Sequence, residues 1–374
     1  MSGIYIHIPF CKTRCNYCDF YKTTDERLID GYVEALCKEI YLRKTELKTP
    51  VKTIYFGGGT PSRLNYTKLC KIFESISSNY SIDTDAEITL EANPDDLTTD
   101  YIKMLCDTPI NRLSIGVQSF DDIELKFLSR RHNALQAIDS IHSSQKHGFH
   151  NISIDLMYGL PNQTLDIWRQ NLKKASSIGI QHLSAYHLIY EPNTIITRLL
   201  EQGKINPANE DLSNDMFALL IEQMTNAGFI HYEISSFAKK GFISRHNSSY
   251  WTGLQYLGFG PSAHSFNGEA RSWNISSVTD YIKSINSGKL CYDSEHLSEN
   301  EKYNEYILTG LRTAWGIDLI KLKQHFGDDY LSYCLENAKP YIESNKISIE
   351  QNTMKLTSNG IFTSDGIMSD LMIV

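Results

Sequence analysis

The stretch IYIHIPFCKTRCNYC, residues 4–18, joins an alternating apolar segment to three closely spaced cysteines. Isoleucine at every second position up to Pro9 is typical of a β-strand with one buried face. The cysteines follow on the next loop with C-x3-C-x2-C spacing, at Cys11, Cys15 and Cys18. The chain has only eight cysteines in 374 residues. This cluster therefore indicates a metal or redox site rather than a disulfide framework.

The pattern of a short strand followed by a polar loop recurs along the first two thirds of the chain. Five further strands are predicted at 53–56, 87–91, 113–117, 152–157 and 183–190. The intervals between them are long enough for a helix, and the first carries Ile29, Val33, Leu36 and Ile40 on one helical face. Alternating strands and helices predict an α/β fold with a parallel sheet. Six such units predict a partial (β/α)6 barrel of the TIM type.

The last third has a different pattern. Ser298 and Glu301 have capping-box spacing at the start of a helix that runs to about Thr313. Two helices over 318–326 and 328–343, a hairpin of 346–350 with 353–356, and a final helix follow. Helices followed by a hairpin resemble a winged helix. We therefore predict a barrel domain over 1–230, a connecting segment over 231–296, and a smaller winged-helix-like domain over 297–374.

Charge argues against a nucleic-acid partner. The whole chain has 36 Lys plus Arg, 44 Asp plus Glu and a net charge of -8, and residues 297–374 have seven basic and 11 acidic residues. Binding to nucleic acid needs basic side chains that neutralise phosphates. No segment has the roughly 20 apolar residues of a membrane span, and the start does not resemble a secretory signal. We expect a cytoplasmic protein without a membrane span.

The cysteine loop suggests a particular kind of metal site. Three thiolates can hold three corners of a 4Fe–4S cube and leave the fourth iron open. Zinc held by the three cysteines and a histidine such as His7 remains an alternative, although no second ligand pair follows. Gly57–Pro61, Glu91, Gln118 and Asp155 also stand at the ends of predicted strands. Because barrels carry their sites at the carboxyl ends of strands, these residues predict a lined pocket beside the cysteines.

Four segments together are similar to the radical S-adenosylmethionine (SAM) superfamily, and within it to the coproporphyrinogen-oxidase-like branch. They are 6–11, 11–18, 57–60 and 154–161, and the resemblance extends over the whole chain. It implies a 4Fe–4S cluster on Cys11, Cys15 and Cys18, whose open iron binds SAM and whose electron cleaves it to a 5′-deoxyadenosyl radical. It implies SAM contacts at Tyr5, Gly58 and Glu91. The positions that hold a second SAM in the branch's oxidases are Tyr17, Gly59, Thr60, Gln118, Arg130 and Asp155.

Within this branch the sequence resembles the heme chaperones more than the oxygen-independent coproporphyrinogen III oxidases. Phe20 stands where the oxidases have a further cysteine, and Cys11 leaves no room for their N-terminal extension. The stretch 246–251, HNSSYW, matches the HNxxYW motif of the chaperones. The resemblance implies a heme site with His246, Asn247, Tyr250 and Trp251, with His231 and His264 as other candidate iron ligands.

These patterns predict a protein that binds heme and passes it to acceptor hemoproteins, with respiratory hemoproteins as candidate acceptors. The cluster and SAM would support the transfer, and an electron donor would reduce the cluster. Any association with a membrane would occur through a partner. No catalytic residue is assigned, and coproporphyrinogen decarboxylation, the enzymatic alternative, is disfavoured. A third alternative is a heme-binding or heme-storage protein with a vestigial cluster.

Overall fold

A computed structural model describes residues 2–373, so Met1 and Val374, the outer ends of two predicted domains, lie outside the described residues. The strands are β1 Ser2–Ile8, β2 Val51–Gly58, β3 Ile82–Ala92, β4 Arg112–Gln118, β5 Ile152–Tyr158, β6 His182–His187, β7 Ile230–Glu233, β8 Ser236–Ala238, β9 Gln255–Phe259, β10 His264–Phe266, β11 Ala270–Asn274, β12 Tyr292–His296, β13 Ile317–Asp318, β14 Ile347–Glu350 and β15 Thr353–Leu356. The helices are α1 Ile29–Leu42, α2 Tyr66–Asn79, α3 Thr99–Cys106, α4 Asp122–Phe127, α5 Ala134–Lys146, α6 Leu165–Ser177, α7 Ile195–Glu201, α8 Glu210–Asn226, α9 Arg245–Trp251, α10 Val278–Asn286, α11 Glu299–Leu311, α12 Leu319–Phe326, α13 Asp328–Glu343 and α14 Ser364–Leu371.

Strands β1 to β6 lie side by side in chain order, and every neighbouring pair is parallel. Helices connect the strands and bury one face on the sheet. In α1 this face is Ile29, Val33, Leu36 and Ile40, as the spacing predicts. Apolar side chains from these strands and helices form one large core. The partial (β/α)6 barrel is therefore confirmed.

The sixth strand is shorter than predicted. It ends at His187 rather than Tyr190. The Leu188 amide still bonds the carbonyl of Tyr158 on β5, and the chain then turns at residues 191–194, where the Thr194 amide bonds the Glu191 carbonyl. Beyond the strand, Ile189 is 66% exposed. An apolar residue in a loop at the rim of the barrel gives the same sequence signal as one in a strand.

Residues 231–296 do more than connect two domains. They extend the barrel sheet at both edges to give 12 strands in the order β12-β11-β10-β9-β1-β2-β3-β4-β5-β6-β8-β7. Strand β9 is parallel to β1, whereas β10, β11 and β12 are antiparallel to their neighbours. These added strands have three to five residues, too few for the sequence pattern to predict them.

The C-terminal part has its own apolar cluster, built from α11 to α14 and the three-stranded sheet β13-β15-β14. The Ser298 and Glu301 capping box is present at the start of α11. The amide of Ala314 bonds the carbonyl of Tyr232 at 2.9 Å, which ties this part to the barrel. Within residues 2–373, every helix is too short or too polar to cross a bilayer.

Candidate cofactor-binding cavity

A cavity of about 430 Å³ opens at the carboxyl ends of the barrel strands. Its volume lies within the range of small-molecule sites in proteins. It brings together nearly all the residues predicted for the cluster and SAM, and the exception is Tyr5. The predicted residues on its wall are Cys11, Cys15, Cys18, Tyr17, Gly58, Gly59, Thr60, Glu91, Gln118, Arg130 and Asp155.

The three cysteines of the loop after β1 are free thiols on the cavity wall. Cys11 is buried and accepts a hydrogen bond from Thr60 Oγ1 at 3.3 Å, while Arg130 Nη1 lies 3.4 Å from the Cys15 sulfur. Charged or hydroxyl donors to sulfur are the neighbours that cluster thiolates have in iron–sulfur proteins. The donor set therefore fits an iron–sulfur cluster.

His7 is not free to complete a zinc site with these cysteines. Its Nδ1 lies 3.1 Å from the Tyr5 hydroxyl, and its Nε2 lies 3.1 Å from the Tyr21 carbonyl oxygen. The zinc alternative has no support from these contacts.

The glycines after β2 let this loop approach the cysteine loop closely. Gly58 has φ of +102°, and a Cβ there would lie 2.6 Å from the His7 ring. A Cβ on Gly59 would lie 3.1 Å from the Cys11 sulfur and 2.8 Å from the Ile8 carbonyl oxygen. A side chain at Gly59 would displace the cysteine loop, and one at Gly58 would displace His7 on β1. Glycine avoids both clashes.

Two carboxyl groups face the cavity from neighbouring parts of the sheet. Burial raises the pKa of Glu91 to about 7, although hydrogen bonds from Tyr55 and from the Gly58 backbone lower it. Burial likewise raises the pKa of Asp155 to about 6, and the Arg112 guanidinium lowers it. Both side chains line the cavity, so their accessible surface faces its interior. They can accept hydrogen bonds from an ammonium group or from ribose hydroxyls.

Arg130 is one of three cationic side chains on the cavity wall, with Lys22 and Arg131. Its Nη2 donates to Asn93 Oδ1 and to the Gly116 carbonyl, whereas its buried Nε has no hydrogen-bond partner among the described residues. A guanidinium on the same wall as two carboxyl groups and three thiols is suited to a zwitterionic ligand such as SAM. The residues present therefore fit both the cluster and SAM.

Tyr5, predicted to contact SAM, lies beneath the cavity instead of on its wall. Its ring stacks on Tyr55 with centroids 6.2 Å apart, and Tyr55 donates a 2.8 Å hydrogen bond to Glu91. The sequence analysis missed Tyr55, along with Arg112 below the cavity and Asn93 and Tyr186 on its wall. Three of these residues, Tyr55, Arg112 and Tyr186, lie on strands β2, β4 and β6. Side chains alternate between the two faces of a strand, so this alternation could have predicted that the three point into the barrel.

His246, the first residue of the HNxxYW motif, is fully buried at the other end of the barrel strands. Its Nδ1 lies 2.8 Å from Thr53 Oγ1 on β2, and its Nε2 lies 2.9 Å from the Tyr250 hydroxyl. Its backbone amide donates to Glu87 on β3. Burial lowers the pKa of His246 to about 3, so the ring is neutral. With both nitrogens engaged, the ring offers no lone pair to heme iron in this conformation.

The other candidate heme residues occupy different environments. Asn247 and half-buried Tyr250 lie on α9 with His246, and the Arg312 guanidinium covers the Trp251 ring at 5.0 Å. His231 stacks on Phe237 at 4.3 Å. His264 is exposed on β10, with Trp273 of β11 beside it at 6.2 Å. The structure thus does not gather these residues around one ligand, and His264 is the most accessible of the three histidines.

Comparisons with known proteins agree with this fold and cavity. Residues 5–175 match the family model "Radical SAM superfamily", and residues 297–363 match "HemN C-terminal domain". The chain is 35% identical to "Heme chaperone HemW" of Bacillus subtilis, with 96% of each chain covered. It is 32% identical to the protein of that name from Lactococcus lactis, with 100% of this chain and 97% of the relative covered.

A solved structure of coproporphyrinogen III oxidase (HemN) from Escherichia coli, described as a radical SAM enzyme, has the same fold. The TM-score is 0.86 at 23% identity, and 99% of this chain and 90% of that one are covered. Fold and cavity together define a radical SAM protein. By its full-length similarity to the curated relatives, the chain belongs to the HemW family.

Proposed function

We propose that this chain binds heme and transfers it to acceptor hemoproteins, and that a 4Fe–4S cluster and SAM in the cavity support the transfer. The observation that carries the proposal is the full-length similarity to proteins named heme chaperones. Cys11, Cys15 and Cys18 would hold the cluster, and Glu91, Asp155 and Arg130 would orient SAM. When bound, the cluster supplies the electron that cleaves SAM.

Phe20 supports a chaperone rather than an oxidase. It lies at the mouth of the cavity and is 65% exposed, where the oxidases of this branch have a further cysteine. A phenyl ring provides neither a thiolate nor a proton at this position. It offers an apolar surface to whatever molecule approaches the cavity.

For the heme iron we propose His264 as the ligand in place of His246. His264 has an accessible side chain on β10. Neighbouring residues still remove part of the water around its ring, and this desolvation, together with the nearby Arg271, lowers the pKa of His264. A lowered pKa favours the neutral imidazole, which is the form that binds iron. Phe266 and Trp273 occupy the same face of β10 and β11 and can contact a porphyrin. His246 has both ring nitrogens hydrogen-bonded within the barrel.

The test is a heme titration followed by transfer. Full-length protein with reconstituted cluster should give a Soret band with stoichiometric heme and lose that heme to an apo-hemoprotein. His264→Ala should weaken heme binding at least tenfold and alter the Soret maximum, and His246→Ala should leave the maximum unchanged. If His264→Ala keeps the native Soret spectrum and His246→Ala loses the Soret band, the heme iron ligand is His246 of the HNxxYW motif and not His264.

Oxygen-independent coproporphyrinogen III oxidase remains the second candidate, because all six positions that match the oxidases' second SAM site line the same cavity. Reduced, reconstituted protein should be incubated anaerobically with SAM and coproporphyrinogen III. We expect SAM cleavage without protoporphyrinogen. More than one equivalent of protoporphyrinogen per protein would establish the oxidase, and absence of SAM cleavage would favour a storage protein with a vestigial cluster.

Acceptor hemoproteins of a respiratory chain and an electron donor for the cluster are further partners under this proposal. We also propose a cytoplasmic location, with contact to a membrane only through an acceptor. Co-purification of the chain with membranes in the presence of an acceptor, and not in its absence, would test this arrangement. We also propose the domain boundaries given above, at residues 230 and 296.

A further inference from the structure

The HNxxYW motif touches the floor of the cofactor cavity through one intermediate side chain. The His246 ring stacks on Tyr55 with centroids 5.0 Å apart and planes inclined by 22°. The Tyr55 hydroxyl donates a 2.8 Å hydrogen bond to Glu91 Oε1, and Glu91 lines the cavity. We propose that His246 is a positioning residue for SAM, which acts by fixing Tyr55 and, through it, the Glu91 carboxyl group.

His246 is itself held rigidly, as a positioning role requires. Its ring is anchored to Thr53 on β2 and to Tyr250 on its own helix, and its amide is anchored to Glu87 on β3. The Tyr5 ring lies beside the same two rings. Its centroid is 6.4 Å from the centroid of the His246 ring and 6.2 Å from that of the Tyr55 ring. Three flat rings pressed together leave Tyr55 one orientation, because buried aromatic side chains move only with their neighbours.

The hydrogen bond that Tyr55 makes matters because of where Glu91 lies. A carboxyl group inside a protein has several rotamers, and one fixed donor selects among them. In the selected rotamer the Glu91 carboxyl group lines the cavity, where a cofactor can reach it. Ordering the acceptor before SAM arrives reduces the entropic cost of binding. This inference rests on the proposed function only in that SAM occupies the cavity, and it does not depend on heme.

The test measures SAM affinity in full-length protein with reconstituted cluster, from the change in the electron paramagnetic resonance spectrum of the reduced cluster as SAM is added. Tyr55→Phe keeps the stacked ring and removes only the hydroxyl, and His246→Ala removes the ring beneath it. We expect each to weaken SAM binding about tenfold. Because the two act in sequence, the double variant should bind no more weakly than Tyr55→Phe.

Matched controls separate positioning from a general loss of packing. Tyr101→Phe removes a tyrosine hydroxyl that bonds the Leu64 carbonyl away from the cavity. His182→Ala removes another fully buried imidazole with both nitrogens bonded, to Ser153 and Tyr232, but with no stack on Tyr55. Both controls should keep native SAM affinity. If His246→Ala does not fold, Thr53→Val, which frees only one edge of the ring, should still weaken SAM binding a few-fold.

Native SAM affinity in both Tyr55→Phe and His246→Ala would overturn the inference, and so would additive losses in the double variant. A Soret titration of the same proteins distinguishes this inference from the heme proposal. Lost heme binding with intact SAM affinity in His246→Ala would make the motif a heme ligand. Lost SAM affinity with intact heme binding supports positioning, even if heme transfer itself fails.

Discussion

The hydroxyl of Tyr55 on β2 donates a hydrogen bond of 2.8 Å to Glu91 on the neighbouring strand β3. This contact joins two layers of the barrel interior. Below it lie the stacked rings of Tyr5 and His246, and above it opens the cavity with the three cysteines. The carboxyl end of the barrel thus carries the cavity, and the opposite end provides the packing beneath it.

The charge state of Glu91 should affect stability. Its pKa is about 7 in the folded protein because of burial, against about 4.3 in an unfolded chain. Between these values the folded state holds the extra proton, so the free energy of unfolding falls as pH rises from about 4 to 7. Glu91→Gln removes this penalty. It should be more stable than the native protein at pH 8, by up to about 4 kcal/mol, and similar at pH 4.

Urea unfolding at the two pH values measures this difference. The exposed Glu74→Gln on α2 is the matched surface control and should give the same difference from the native protein at both pH values. A Glu91→Gln variant with no gain at pH 8 would mean that the carboxyl group is ionised and compensated in the fold.

Gly58 should tolerate alanine much less well than a glycine with the same backbone conformation elsewhere. Gly58 and Gly148 have φ of +102° and +99°, but a Cβ meets the His7 ring at 2.6 Å only in the first case. Gly148→Ala should cost about 1 kcal/mol from its left-handed backbone. Gly58→Ala should cost at least about 1 kcal/mol more because of the clash, and should also lower the iron content after reconstitution.

Denaturant unfolding and iron analysis of the two glycine variants provide this comparison. Equal losses of stability would show that His7 moves aside without cost. Retained iron in Gly58→Ala would show that the cysteine loop does not depend on the close approach of the glycine loop.

Replacing Arg112 should raise the stability of the protein and weaken its binding of SAM near pH 6. It is 1% exposed, and its Nε and Nη1 have no hydrogen-bond partner within residues 2–373. Buried donors without a hydrogen bond are costly, and replacing them with an apolar side chain of similar size commonly stabilises a protein. Arg112→Met should therefore raise the melting temperature. Because the guanidinium lowers the pKa of Asp155, the variant should also need a higher pH to bind SAM.

Calorimetry and SAM titrations at pH 6 and pH 8 test both expectations for Arg112→Met. A lowered melting temperature would mean that ordered water or an anion satisfies the guanidinium. The matched control is Arg27→Met, since Arg27 is an exposed arginine paired with Asp25 far from the barrel interior.

The cysteines of the loop after β1 should be needed for iron, and the other cysteines should not. Cys15→Ser should lose most of the iron and the charge-transfer absorbance after anaerobic reconstitution, because a serine oxygen is a poor ligand for an iron–sulfur cluster. Cys106→Ser, at an exposed free thiol on α3, should keep both. Full iron content in Cys15→Ser would contradict its assignment as a ligand.

Local pattern was sufficient to predict much of this protein. Alternating isoleucines and evenly spaced apolar residues predicted β1 and α1, and turn signals after each strand predicted the order of six parallel strands. The cysteine spacing and the residues at strand ends predicted the wall of the cavity. These signals are available in the sequence because the barrel places every strand end, in chain order, at one rim.

The sequence determined the family, the parallel barrel and many, but not all, of the residues of the cavity wall. Only the tertiary structure decided that residues 231–296 pair with both sheet edges, because short strands depend on partners distant in the chain. It also decided the surroundings of His246. A motif of histidine, tyrosine and tryptophan predicts a ligand, but burial against Tyr55 and Thr53 turns the same imidazole into part of the barrel floor.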